Sequence, residues 1–161
     1  MTVTINDPQW TTYDVHGHTL AEVAQYIETL AEAGQTQWHP SYHATRWSWN
    51  VIAAVQVDVQ VTVSMPHWAE AATAPSEQQA EWERFIGALH THEQGHIDLV
   101  TTYLQDVDTI LENVTEQTAA QQWHDNLAAL QQASDQYDAG NDHGRNEGTT
   151  ITLPDEDVVA P

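Results

Sequence analysis

His92-Glu93-Gln94-Gly95-His96 sets two histidines four residues apart around a glutamate. On a helix this H-E-x-x-H spacing brings both imidazoles to one face, where they can grip one zinc ion, and places the glutamate within reach of a metal-bound water. The chemistry it predicts is peptide-bond hydrolysis, with Glu93 as general base on the zinc-bound water and then as proton donor to the leaving amine. With ten histidines in 161 residues, chance alone produces this pentapeptide about one time in twenty. The elements around it must therefore carry the assignment.

Catalytic zinc keeps three protein ligands and leaves a fourth position to water. The chain has no cysteine, so the third ligand must offer nitrogen or oxygen. A helix through His92 and His96 that ends near 113, followed by an antiparallel helix from about 118, brings residues 135–143 level with the motif. His143 is the first choice there, because neutral imidazole suits zinc and flanking glycine eases close backbone approach. Asp138 is the runner-up, as third ligand or as a carboxylate that fixes a histidine tautomer. Tyr137 is a candidate for stabilising the developing oxyanion, set against simple packing at a helix end. A di-iron carboxylate site would need a second Glu-x-x-His on another helix, and the sequence contains none beyond Glu93–His96. His39 and His43 share the four-residue spacing, but Pro40 lies between them; they and His16, His18, His67, His90 and His124 are read as structural or exposed.

The positioning elements follow from periodicity. Residues 10–16 alternate weakly and suit a short strand ending at Gly17. Thr19 can cap a helix reaching about Ala33, with Leu20, Val23, Ile27 and Leu30 at helical spacing and Gly34 as its stop. Gln35–Tyr42, interrupted by Pro40, is expected to be a loop. From Ala44 to Met65 the period becomes two, with Val57, Val59, Val61 and Val63 alternating with polar residues, which predicts two antiparallel strands. Ser76–Gln79 resembles a capping box for a helix of about three dozen residues, whose apolar stripe is marked from Trp82 to Leu111 and carries both motif histidines. A turn near 113–118 and a helix over about Ala119–Tyr137 follow, then a glycine-containing loop.

Composition bounds the function. The length fits a single domain, placed at residues 1–148, with an acidic tail at 149–161 expected to be mobile at its end. Twenty-four acidic residues stand against three arginines and no lysine, a formal charge of −21. Nucleic acid and anionic membranes are poor partners for such a surface, and molar salt, with a Debye length of about 3 Å, screens its self-repulsion. A salty environment is the expectation. The amino terminus has neither a basic nor an apolar signal region, and no stretch is long enough to cross a membrane; the expected location is cytoplasmic, or outside the cell by a non-classical route.

The order of landmarks resembles the bacterial domain-of-unknown-function 922 family, whose members are described as predicted secreted zinc-dependent proteases. The matching residues are Tyr13-Asp-Val-His-Gly17 opening a helix, Ala44-Thr-Arg-Trp-Ser-Trp49 leading into a strand, the strand from Val59 to Pro66-His-Trp68, Trp82 and Phe85 before the pentapeptide, and Tyr137-Asp-Ala-Gly-Asn-Asp-His143-Gly144. The resemblance spans residues 11 to 145. It departs from the family's habit at Asn141, where threonine is common, and in lacking a visible signal peptide. It implies a zincin-like peptidase with His92, Glu93 and His96 in the active-site positions and His143 as a metal ligand. The expected architecture is thus α+β, a small antiparallel sheet beside a long active-site helix and an antiparallel backing helix. The Val57–Met65 strand is expected at the cleft, offering an edge to a peptide or protein substrate. The alternative expectation is an inactive zinc-binding interaction module.

Overall fold

In the computed structural model, which describes residues 2–154, the valine alternation becomes the middle of an 18-residue strand, Val51–Trp68 (β4). Val55, Val57, Val59, Val61, Val63 and Met65 are buried along one face of it, and the intervening polar residues lie on the other. One edge of β4 pairs with two short strands placed end to end, Val3–Ile5 (β1) and Gln9–Val15 (β2), and both pairings are parallel. Its other edge pairs antiparallel with Gln35–Ser48 (β3). The α+β class stands, but the expected all-antiparallel sheet does not, since only the β3–β4 hairpin is antiparallel. Alternation fixes which side chains face the core and says nothing of a neighbour's direction. The direction here is set by the long connection from β2 to β4.

β3 also replaces the loop expected over Gln35–Tyr42. Thr36, Trp38, Pro40, Tyr42 and Ala44 are half-buried while their neighbours are exposed, which is a period of two that the proline disguises. Pro40 is tolerated because β3 pairs only with β4 among the described strands, leaving an outer edge where a missing N–H costs no ladder bond. Both edges of β4 are occupied, so the outer edges of the sheet belong to β3 and to β1 and β2 rather than to Val57–Met65.

Thr19 caps Leu20–Glu28 (α1), its hydroxyl accepting from the Glu22 N–H at 3.2 Å; the helix stops at Glu28, short of the expected Ala33. Ser76–Leu104 (α2) begins directly after Pro75, so the expected capping box is not formed, and the Gln79 amide instead donates to the Ala74 carbonyl at 2.7 Å. The long apolar stripe is divided: α2 ends at Leu104 and Asp108–Leu111 forms a separate turn of helix (α3). Glu116–Gly140 (α4), capped by Thr115, is longer at both ends than its apolar pattern suggested. Contacts between Tyr103 and Asn126, His96 and Ser134, and His92 and Asp138 establish that α4 runs antiparallel to α2, as the sequence predicts. Among the described residues no helix is long and apolar enough to cross a membrane. Part of the acidic tail, 155–161, lies outside the described residues.

The β3–β4 hairpin turns through Trp49 and Asn50. Trp49 has φ 56° and is 99 % exposed, so a bulky residue occupies the left-handed region while its indole packs on nothing. Such a conformation costs roughly 1–3 kcal/mol for a non-glycine residue, against about 0.4–1 kcal/mol lost by loosening the unfolded chain with glycine. Trp49→Gly is therefore expected to stabilise the protein by about 1 kcal/mol, read as a higher denaturation midpoint with an unchanged m-value. An unchanged or lower midpoint would mean that the indole has a folded-state contact.

Candidate metal centre

α2 places His92, Glu93 and His96 on its buried side, with exposures of 5 %, 3 % and 7 %. α4, passing alongside, contributes Asp138. The Nε2 atoms of His92 and His96 lie 3.1 and 3.0 Å from the same oxygen, Asp138 Oδ1. All three potential ligand atoms fall within 4.8 Å of one another. Around a tetrahedral ion with bonds of about 2.0–2.1 Å, ligand atoms stand about 3.3 Å apart, so the three donors are spaced as for one metal ion.

The far side of each imidazole is also fixed. His92 Nδ1 lies 2.6 Å from Glu147 Oε2, and His96 Nδ1 lies 2.9 Å from Ser134 Oγ. Partners at Nδ1 leave Nε2 as the ligating atom and hold each ring in orientation. His92 faces carboxylates at both nitrogens, while burial pushes the neighbouring His96 below the usual histidine range. A cation among Nε2, Nε2 and Oδ1 suits two neutral imidazoles and one carboxylate better than a shared proton does.

The Glu93 carboxylate lies in the same cleft wall as this group and also reaches β3. Its Oε2 accepts from the Thr36 hydroxyl at 2.7 Å, and burial raises its carboxyl above the usual range, with the Thr36 hydrogen bond opposing the shift. Gly34 lies against this carboxylate: a Cβ there would come within 2.5 Å of Glu93 Oε1 and displace it. The tight approach is held from behind: the Tyr13 hydroxyl donates to the Ala33 carbonyl at 2.6 Å, and burial raises that phenol to about 12.

The site opens into a cleft of about 1020 Å³ between α1 and β3 on one side and α4 with residues 143–151 on the other. His92, Glu93, His96 and Asp138 lie in its wall, as do Gln35–His39 of β3. The strand at the cleft is thus β3, not Val57–Met65.

The sequence-based candidates are not all brought together. Asp138, the runner-up, joins the two histidines. His143, the first choice, is exposed on the cleft wall with φ 53°, between Asp142 at 49° and Gly144 at 83°, and is not in the ligand group. α4 persists to Gly140, so Asp138 still projects from the helix toward α2, whereas His143 lies beyond the helix end in a left-handed turn. Tyr137 is not placed to receive an oxyanion. Its hydroxyl donates to Glu147 at 2.9 Å, its ring stacks on His92 with centroids 5.0 Å apart, and burial raises its pKa. Gly95 makes room for it, as a Cβ there would meet the hydroxyl. His124, His16 and His67 are exposed, as expected.

Sequence reasoning missed Ser134, Glu147 and Thr36. Ser134 carried a signal, lying one helical turn before Asp138 on the same face. Glu147 carried a fainter one: it sits in the turn Arg145–Glu147 bracketed by Gly144 and Gly148, both left-handed, which returns the chain to His92.

No curated protein and no solved structure matches the chain. A family model described as a bacterial protein of unknown function (DUF922) matches residues 10–144, a span that includes the H-E-x-x-H helix, Ser134, Asp138 and His143. The chain belongs to that family.

Proposed function

We propose that this protein is a zinc-dependent metallopeptidase of zincin type, holding zinc through His92, His96 and Asp138. The observation that carries the reading is the convergence of His92 Nε2, His96 Nε2 and Asp138 Oδ1 at an open cleft with the buried Glu93 carboxylate beside them. A purely structural zinc site would close its fourth position and has no use for that carboxylate. When bound, zinc supplies a Lewis acid for the scissile carbonyl and lowers the pKa of a water to about 7. Glu93 takes the proton from the attacking water and delivers it to the leaving amine. Thr36 orients that carboxylate, Ser134 and Glu147 orient the imidazoles, and Tyr137 buttresses His92. The free edge of β3 at Gln35–His39 is the place where an extended peptide or protein substrate adds as a further strand.

The test is metal removal. Wild-type protein in molar-strength salt is expected to bind one zinc, to hydrolyse members of a broad peptide library, to lose that activity on dialysis against a chelator and to regain it with stoichiometric zinc. Zinc bound without hydrolysis would point to an interaction module, and a protein that binds no zinc would remove both readings.

A further inference from the structure

Beyond Gly148 the chain follows no helix or strand as far as Pro154, yet Thr149, Thr150 and Ile151 form part of the cleft wall. Its backbone polar groups need partners from elsewhere. Three of them go to one ion pair on α2. Arg84 Nη1 donates to the Gly148 carbonyl at 2.9 Å, Arg84 Nη2 donates to the Thr150 carbonyl at 2.7 Å, and Glu81 Oε1 accepts the Thr152 N–H at 2.7 Å. The pair is itself bidentate, with Arg84 Nε and Nη2 reaching the two Glu81 oxygens at 2.8 and 2.7 Å. The Glu81 side chain is only 13 % exposed. An exposed ion pair contributes little by itself, but here the planar guanidinium spans a carboxylate and two carbonyls more than sixty residues away. Lysine could not reproduce that fork.

Gly148 immediately follows Glu147, the residue that fixes both His92 Nδ1 and the Tyr137 hydroxyl. The approach is close: Gly148 has φ 86°, and a Cβ there would lie 3.0 Å from Arg84 Nη1. We infer that Arg84, clamped by Glu81, is a positioning residue for the metal centre: it pins Gly148–Thr152 to α2 and thereby holds Glu147 on His92. One of only three cations in a chain of net charge −21 has this task. The inference rests on the metal-site reading and not on hydrolysis.

The test is a double-mutant cycle of Arg84→Ala and Glu147→Gln, with zinc affinity measured by competition against a chromophoric chelator. Loss of an outer partner of a metal ligand weakens binding roughly 10–100-fold. Arg84→Ala is expected in that range, and to have almost no further effect in the Glu147→Gln background, because both act through one contact. The hydrogen-bonded His92 Nδ1 proton, followed by NMR in the metal-free protein, is expected to broaden or vanish in Arg84→Ala. Glu70→Gln breaks another exposed ion pair, His16–Glu70, and is expected to leave zinc affinity and the His92 proton unchanged. Wild-type zinc affinity in Arg84→Ala, additive effects in the cycle, or an unchanged His92 proton would overturn the inference even if the variant melts earlier. Absence of hydrolysis in the wild type would fail the peptidase reading and leave this result intact.

Discussion

Glu93→Gln is expected to keep its zinc and lose hydrolysis, with kcat lower by about 10²–10⁴-fold, the usual range for removal of a general base. The substitution is close to isosteric. Its carbonyl oxygen can still accept the Thr36 hydroxyl, and its size still fits against Gly34, so the surroundings of α2 need not move. It also removes an ionisable group from a site where burial already disfavours the charge; the folded state is expected to be as stable as the wild type or more so. Glu93 lies outside the ligand group, so zinc affinity should change by no more than about a few-fold, against the 10–100-fold of a lost ligand partner. The measurement pairs zinc stoichiometry with kcat on one library peptide in molar-strength salt. Hydrolysis within tenfold of wild type would exclude Glu93 as the base. Loss of zinc would place its carboxylate among the ligands.

What the sequence discloses here depends on how local each cause is. The H-E-x-x-H helix, the Thr19 cap and the antiparallel return of α4 rest on spacing within one element or on equal path lengths along two, and all three are present. β3 was hidden because proline normally argues against a strand, and only the fact that this strand is an edge makes Pro40 harmless. The parallel pairing of β1 and β2 with β4 was hidden because strand direction is a property of the connection. Equal path lengths located the window containing the third ligand, but choosing within it required the end of α4. Asp138 and His143 are only five positions apart in sequence, but the left-handed turn after Gly140 carries His143 out to the cleft wall. Glu147 could not be placed at all from periodicity. It reaches His92 from a single short turn bracketed by the left-handed Gly144 and Gly148, a path that no apolar pattern records.

Asp138→Ala separates the two candidates for third ligand. It is expected to weaken zinc binding by at least about 10²-fold, the upper end for loss of a mere outer-shell partner, because it removes a ligand and the one acceptor shared by His92 and His96. His143→Ala is expected to stay within about a few-fold of wild type, like His124→Ala, since both rings are exposed and neither belongs to the ligand group. Competition against a chromophoric chelator reads all three variants on one scale. If His143→Ala strips zinc while Asp138→Ala does not, the loop from Asp142 to Gly144 must leave its left-handed conformation to bring His143 inward, and the ligand assignment reverses. The distinction reaches the chemistry as well. Two imidazoles and a carboxylate would leave a bound zinc ion one charge less positive than three imidazoles would, so more of the proton transfer would fall to the base. That demand would fall on Glu93 as the base, which ties the Asp138 assignment to the role of Glu93.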